Sequence, residues 1–422
     1  MEYFRKNIIR ITLGLFFCLS ALEAPAQQFG GRGSIVFERD DRNKDGKISR
    51  GEFRGPRHVF NVLDTDNDGF INEVEDKTYK GEPIEQPVQE NPPQPEDKRG
   101  GLVVDIWKKD KTYNSTTLFA HTFDEKNPKI VEIDMEGNVV WEYKLPSYMK
   151  KYAGPMGVDV ELLENDNILL LLPKKGIYEI NRKGRIVWSY YDPKVSHDAD
   201  RLEDGSTLVV WGLDDDINDI HVKEVTKKGK IIWSWSASDY PESLPEYDQR
   251  YCQQGWTHTN AATRLKNGNT LVSLRNFQYL AEIDPNGEVV KTIGKGIFSY
   301  PHDPEILPNG NILAASQYPL LSTEPKNKDI NTTVYTAAEI DPQTNEIIWN
   351  YNSYEWTKTQ DSTFDANRLP NGNTLIVGGT SMIEVTPEGE IVWRLKPEKL
   401  SGVRLSMARQ FLYKAQRLEK LD

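Results

Sequence analysis

This sequence predicts a mainly β fold, a six-bladed β-propeller preceded by a small α-helical module, and three observations carry that prediction. First, a strand-like segment ending in tryptophan recurs as GNVVW at Trp141, GRIVW at Trp188, GKIIW at Trp233, GEVVK ending at Lys291, NEIIW at Trp349 and GEIVW at Trp393, six copies at intervals of 44 to 58 residues. Second, an Ile-Asp-like pair begins ahead of these segments at Ile133, Ile180, Val225, Ile283, Ile340 and Val385, and Asp-Gly or Asn-Gly turns fall between at Asp204, Asn267, Asn309 and Asn371. Asn-Gly between alternating apolar runs is the strongest short-range hairpin signal, because glycine supplies the positive φ that tight turns need. Units of this length built only from short strands bury their faces by packing radially. Third, two twelve-residue loops rich in oxygen donors stand in tandem near the N-terminus, DRNKDGKISRGE from Asp41 and DTDNDGFINEVE from Asp64.

The elements follow in chain order. Residues 1–26 read as a secretory signal peptide: Arg5, Lys6 and Arg10 are basic, ITLGLFFCLSA is apolar but too short to span a bilayer, and Ala24-Pro25-Ala26 offers a cleavage site. The expected location is therefore the periplasm or the extracellular medium, with no transmembrane segment left after cleavage. Leu15, Phe16 and Phe17 before Cys18 lack the small residues of a lipoprotein signal, and Cys252 alone remains afterwards, so no internal disulfide is expected.

Residues 33–76 are expected to form a paired EF-hand module with two Ca2+ sites. In the first loop Asp41, Asn43, Asp45, the Lys47 carbonyl, Ser49 and Glu52 take positions 1, 3, 5, 7, 9 and 12, with Gly46 at the sharp turn. In the second, Asp64, Asp66, Asp68, the Phe70 carbonyl, Asn72 and Glu75 do so, with Gly69 at the turn. Ile48 and Ile71 at position 8 should meet across a short β-bridge, and Phe60 and Leu63 should form a mini-core with Phe37 and Phe53. The loops start 23 residues apart and Pro56 interrupts the segment between them, so the pair reads as a structural or buffering unit rather than a switch.

Residues 77–100 form a proline-rich polar linker, 101–400 the propeller, and 401–422 a C-terminal helix, expected from the helical spacing of Leu405, Phe411, Leu412, Ala415 and Leu418. A net charge of −12 argues against nucleic acid and anionic membrane as partners. The repeated tryptophans read as packing between blades.

The chemistry is concentrated just upstream of the turns, on the expected innermost strands. In SHDADRL, His197 stands five residues before Leu202, and in PHDPEIL, His302 stands five before Leu307. THTNAATRL puts Asn260 at the same place and His258 two residues earlier, on the same strand face, while Val158 and Phe364 fill it elsewhere. The following strand adds Arg275. Imidazoles and a guanidinium around one channel suit a tetrahedral oxyanion: neutral imidazole attacks phosphorus or sulfur, a second imidazole moves a proton, and arginine neutralises oxygens. A three-histidine metal site is weakened by the adjacent arginine.

At these residues the chain resembles the bacterial aryl-sulfate sulfotransferases, which move sulfuryl groups between phenols without a nucleotide donor. The resemblance runs from about Gly101 to about Pro397, through YNSTTLF, IDMEGNVVWEY, SHDADRL, GWTHTN with SLRN, and PHDPEILPNGN. It implies a six-bladed propeller, His302 as the transiently sulfated residue, His197 and Arg275 on sulfuryl oxygens, and His258 on the sulfuryl group or as acid/base. A phenolic sulfate ester would be the donor and a phenol the acceptor. The chain departs from better-known members in lacking their cysteine pair and in carrying EF-hands where they have a β-rich dimerisation domain, so dimerisation does not carry over. Two rival readings are a non-catalytic propeller that binds ligand or protein and a quinoprotein-type dehydrogenase, the latter disfavoured by six rather than eight repeats.

Overall fold

The structure is a computed structural model that describes residues 40–43, 46–55, 60, 63–64, 69–72, 75–76, 101–124, 126–154, 157–239, 254–316, 336–352, 362–398 and 412–419. The expected signal peptide and linker lie outside these residues, as do Phe37, Asp45, Pro56, Asp66, Asp68 and Cys252. Among the described residues no helix is long and apolar enough to cross a membrane. The chain divides into two compact units, Met1–Asp76 and Lys77–Asp422.

In the first unit the position-8 isoleucines meet as expected. Lys47–Ser49 pairs antiparallel with Phe70–Asn72, and Ile48 lies opposite Ile71. Both are fully buried and join Phe53, Phe60 and Leu63 in one cluster, with the Phe53 and Phe60 rings edge-on at 5.5 Å. Gly46 and Gly69 sit at φ of 81° and 88°, the left-handed conformation that a side chain would strain.

The second unit contains six antiparallel sheets, the six blades. Blade 3 shows the pattern: Ala199–Arg201, Thr207–Val210, Val222–Val225 and Ile231–Trp235 lie side by side in chain order, the first innermost. The innermost strands of blades 2, 4, 5 and 6 are Asp159–Leu162, Thr259–Arg264, Pro301–Ile306 and Thr363–Arg368.

Blade 1 is assembled from both ends of the propeller. Thr117–His121, Lys129–Ile133 and Val139–Lys144 are its outer three strands, and Ala415–Arg417 is the innermost, paired antiparallel to Thr117–Phe119. This corrects the expected C-terminal helix over its described part. Leu412, Tyr413, Lys414, Ala415, Arg417 and Leu418 are all buried, so the strand lacks the period-2 alternation of a half-exposed one and its apolar positions mimic helical spacing. The propeller's first strand, Leu102–Trp107, is added outside Ile391–Pro397 as a fifth strand of blade 6. Its effect is visible at one repeat position: Val140, Val187, Ile232, Val290 and Ile348 are exposed, whereas Val392 beneath the added strand is fully buried.

The repeated tryptophans tie each blade to the next. The indole N–H groups of Trp141, Trp188, Trp233, Trp349 and Trp393 donate to the carbonyls of Arg182, Lys227, Pro285, Pro387 and Met135 at 2.8 to 3.1 Å, each on the following blade. Arg201, Arg264, Arg368 and Arg417, from the innermost strands of those following blades, lie over Trp188, Trp233, Trp349 and Trp393 at 4.3 to 5.3 Å. Such stacks contribute about 0.5–2 kcal/mol each.

Candidate active site

Counting five residues back from the leucine before each inner turn gives Val158, His197, Asn260, His302, Phe364 and, through Leu418, Tyr413. The innermost strands pack against one another, so these six positions surround the channel. Blades 3, 4 and 5 supply the polar arc, His197, Asn260 and His302; blades 6, 1 and 2 supply the apolar arc, Phe364, Tyr413 and Val158.

All four expected site residues converge here and all are buried, His197, His258, Arg275 and His302 alike. The rings of His197 and His258 are 4.8 Å apart. Tyr413 bridges the two arcs, 6.0 Å from His197, 6.1 Å from His302 and 5.3 Å from Phe364. Arg275 opens a short 3-10 turn, Arg275–Phe277, after the second strand of blade 4. Its guanidinium lies 4.5 Å over the Tyr300 ring and donates to Asn276 Oδ1 at 2.8 Å.

Hydrogen bonds fix the tautomers of two imidazoles. His302 Nδ1 donates to the Tyr300 carbonyl at 2.9 Å, which leaves Nε2 with the lone pair. The Asn260 amide brackets that ring, 3.0 Å from Nε2, while also donating to the Pro301 carbonyl at 3.0 Å. His258 Nδ1 donates to the Gln254 carbonyl at 2.9 Å, so its Nε2 also carries a lone pair. The segment holding His258 is pinned by Asp215, whose carboxylate accepts the backbone N–H groups of Thr257 at 2.8 Å and His258 at 3.1 Å and the Thr257 hydroxyl at 2.8 Å. His221 Nε2 faces the same carboxylate at 3.2 Å, its Nδ1 accepting the Ala237 N–H.

The backbone is strained where the site residues sit. His197, His258, Tyr300 and Asp303 adopt φ of 68°, 48°, 52° and 43°. Left-handed conformations of non-glycine residues cost of order 1–3 kcal/mol each and persist only where surrounding contacts impose them.

Electrostatics keep the imidazoles neutral. Burial pushes His197 down to about 3, helped by the charges of Arg275 and Lys414. Burial likewise drives His258 and His302 well below the usual histidine range, with the Arg275 charge adding to both.

Three participants escaped the sequence reading. Tyr413 and Lys414 sit in a segment read as helix, and Asp215 has no repeat signature. The missed signal for the first two was the recurrence of Arg-Leu at the inner turn: DRL, TRL, NRL and, at the C-terminus, QRL ending at Leu418.

Residues 103–296 match the family model described as Arylsulfotransferase (ASST), and residues 35–55 and 57–74 match that described as EF hand. Over these residues the chain is similar to the arylsulfotransferases, on a six-bladed propeller, and ahead of it to EF-hands. The family match takes in His197, His258 and Arg275 and ends shortly before His302. No curated protein matches the chain. Similar solved structures include a Bacteroides caccae protein of unknown function, 21% identical over 68% of this chain and 96% of its own, TM-score 0.47. Another is a catalytically inactive virginiamycin B lyase from Staphylococcus aureus with quinupristin, 11% identical over 72% of this chain and 91% of its own, TM-score 0.43.

The EF-hand loops are closed alike. Position 1 reaches the turn glycine in both, Asp41 accepting the Gly46 N–H at 3.0 Å and Asp64 the Gly69 N–H at 3.2 Å. Position 12 reaches back to position 9 in both, Glu52 accepting the Ser49 N–H at 2.9 Å and Glu75 the Asn72 N–H at 3.0 Å. Two buried or half-buried carboxylates thus face each loop's interior from its two ends, a hard-oxygen donor set that fits calcium. Among the described residues no group of three His, Cys, Asp or Glu side chains is gathered as a metal cluster.

Proposed function

We propose that the protein transfers a sulfuryl group from a phenolic sulfate ester to an acceptor phenol through a sulfated His302. The observation that carries this reading is the convergence of three buried neutral imidazoles and one guanidinium on the channel of an arylsulfotransferase-like propeller. His302 Nε2 attacks sulfur; the N–S bond forms as the S–O(aryl) bond breaks, and its electron pair leaves on the phenolate oxygen. Arg275 and His197 stand among the groups that would hold the non-bridging oxygens. In the second half the acceptor oxygen attacks sulfur while His258 Nε2 takes its proton, and the N–S pair returns to His302. Burial suits both rings to this work, since each is neutral and carries a lone pair at the working pH. The transfer is chiefly positioning and charge neutralisation.

The two loops would each hold one calcium ion, with Asp41, Asn43, Asp45, the Lys47 carbonyl, Ser49 and Glu52 in the first and Asp64, Asp66, Asp68, the Phe70 carbonyl, Asn72 and Glu75 in the second. Export to the periplasm or beyond would keep such sites filled at extracellular calcium levels. The test is direct: purified protein is given a chromogenic aryl sulfate and phenol, and both released chromophore and phenyl sulfate are measured. Phenol-dependent release supports the proposal, and its absence refutes it.

A further inference from the structure

Immediately after the six channel positions comes a second ring: Asp159, Asp198, Ala261, Asp303, Asp365 and Lys414. Its carboxylates cap neighbouring blades. Asp159 accepts the Ala199 N–H at 3.2 Å, Asp198 the Ala262 N–H at 2.9 Å and Asp365 the Ala415 N–H at 3.0 Å, each time on the innermost strand of the next blade. Lys414 is the ring's one cation. Its ammonium, buried on the C-terminal strand, pairs with Asp198, lies 2.8 Å from Asp303 and 3.5 Å from Asp159, and so ties blades 2, 3 and 5 to blade 1 across the axis.

Two of these three carboxylates follow site histidines directly. Asp198 comes after His197 and Asp303 after His302, and the left-handed backbone falls at His197 in one pair and at Asp303 in the other. A strained conformation needs something to hold it, and here the next side chain is held by a buried ammonium. We infer that Lys414 is a positioning residue: by clamping Asp198 and Asp303 it aims the His197 and His302 imidazoles at one point, and the site is complete only when the C-terminal strand is in place. This inference rests on the sulfuryl-transfer reading for its kinetic consequence. A buried ion network can equally be a mere fastener, and some are replaced without loss, so the test must separate aiming from stability.

The variants are Lys414→Gln, Lys414→Arg and Asp303→Asn, made in the full chain. With donor alone at saturation, Lys414→Gln should slow sulfation of His302 by about 10²-fold, the cost of a small misplacement, while donor KM changes little. Lys414→Arg keeps the charge and should recover most of the rate. Asp303→Asn removes the charge of the leg beside His302, keeps an amide able to hydrogen-bond Asp365, and leaves Lys414 paired with Asp159 and Asp198, so it should fold even if Lys414→Gln does not, and should slow the same step. Imidazole 15N–1H spectra supply a readout independent of turnover: His197 and His302 signals should shift in Lys414→Gln, and His302 in Asp303→Asn. Wild-type rates with unchanged imidazole signals overturn the clamp, whether or not melting temperature falls. If wild-type protein takes up no sulfuryl group, the functional proposal fails while the spectra still judge the clamp: shifted signals uphold it and unshifted ones overturn it.

Discussion

A histidine in water titrates near pH 6.5, yet the three in this channel are pushed well below that by burial and by Arg275. Transfer should therefore show no acid limb near pH 6.5. A kcat profile with the chromogenic donor between pH 5 and 8 checks this, and a sigmoid centred on 6.5 would contradict it. His302→Asn preserves shape and a hydrogen-bonding group but removes the attacking nitrogen, so it should fold and lose transfer by several orders of magnitude. Arg275→Lys keeps the charge without the planar fork and should be impaired less. Stability carries its own pH signature. Burial raises Glu161 and Glu305 to about 7, above the unfolded value, so each contributes stability that is full at low pH and lost as pH rises through about 7. The buried neutral histidines work in the opposite sense and lose stability as pH falls below 6.5, so above that pH only the carboxylates act. Thermal melting should fall between pH 6.5 and 8, and Glu161→Gln should flatten that slope; an unchanged slope would count against the assignment.

At the scale of strands, the sequence displayed all six blades and hid how the ring closes. The tryptophan repeat and Asn-Gly turns were legible because each reflects a local requirement, an indole donating to the next blade or a turn at positive φ. The innermost strand of blade 1 was not, because it lies almost 300 residues from the strand it pairs with and is buried on both faces. The histidines were legible for the same reason as the turns: His197 and His302 occupy one repeat position, and that position faces the axis. Tyr413 holds that position too, but it emerges only when Leu418 is counted as a sixth turn leucine. A chain ending at residue 411 should lose Tyr413, Lys414 and the closing strand together, leaving Thr117–His121 as an open edge; loss of a cooperative melting transition would be the expected result, and an unchanged transition would contradict the closure described. Trp393→Ala should be the costliest substitution among the repeat-position tryptophans, about 3–5 kcal/mol in denaturant titration, since of those rings it is the fully buried one.

Over the whole molecule, the chain divides into two compact units, and each carries a separate proposal. Among the described residues the EF-hand pair has its own apolar cluster, and the propeller has its own cores between blades. Glu52→Gln with Glu75→Gln should therefore weaken calcium binding strongly in a calorimetric titration and leave the propeller's melting unchanged; a double variant with unaltered affinity would remove the case for calcium at these loops. The central claim, that sulfuryl transfer runs through one imidazole, is tested most directly by mass. Protein incubated with an aryl sulfate and no acceptor should gain one sulfuryl group, on the peptide containing His302, and lose it when phenol is added. A label on another residue, or none in a protein that still transfers, would contradict the account.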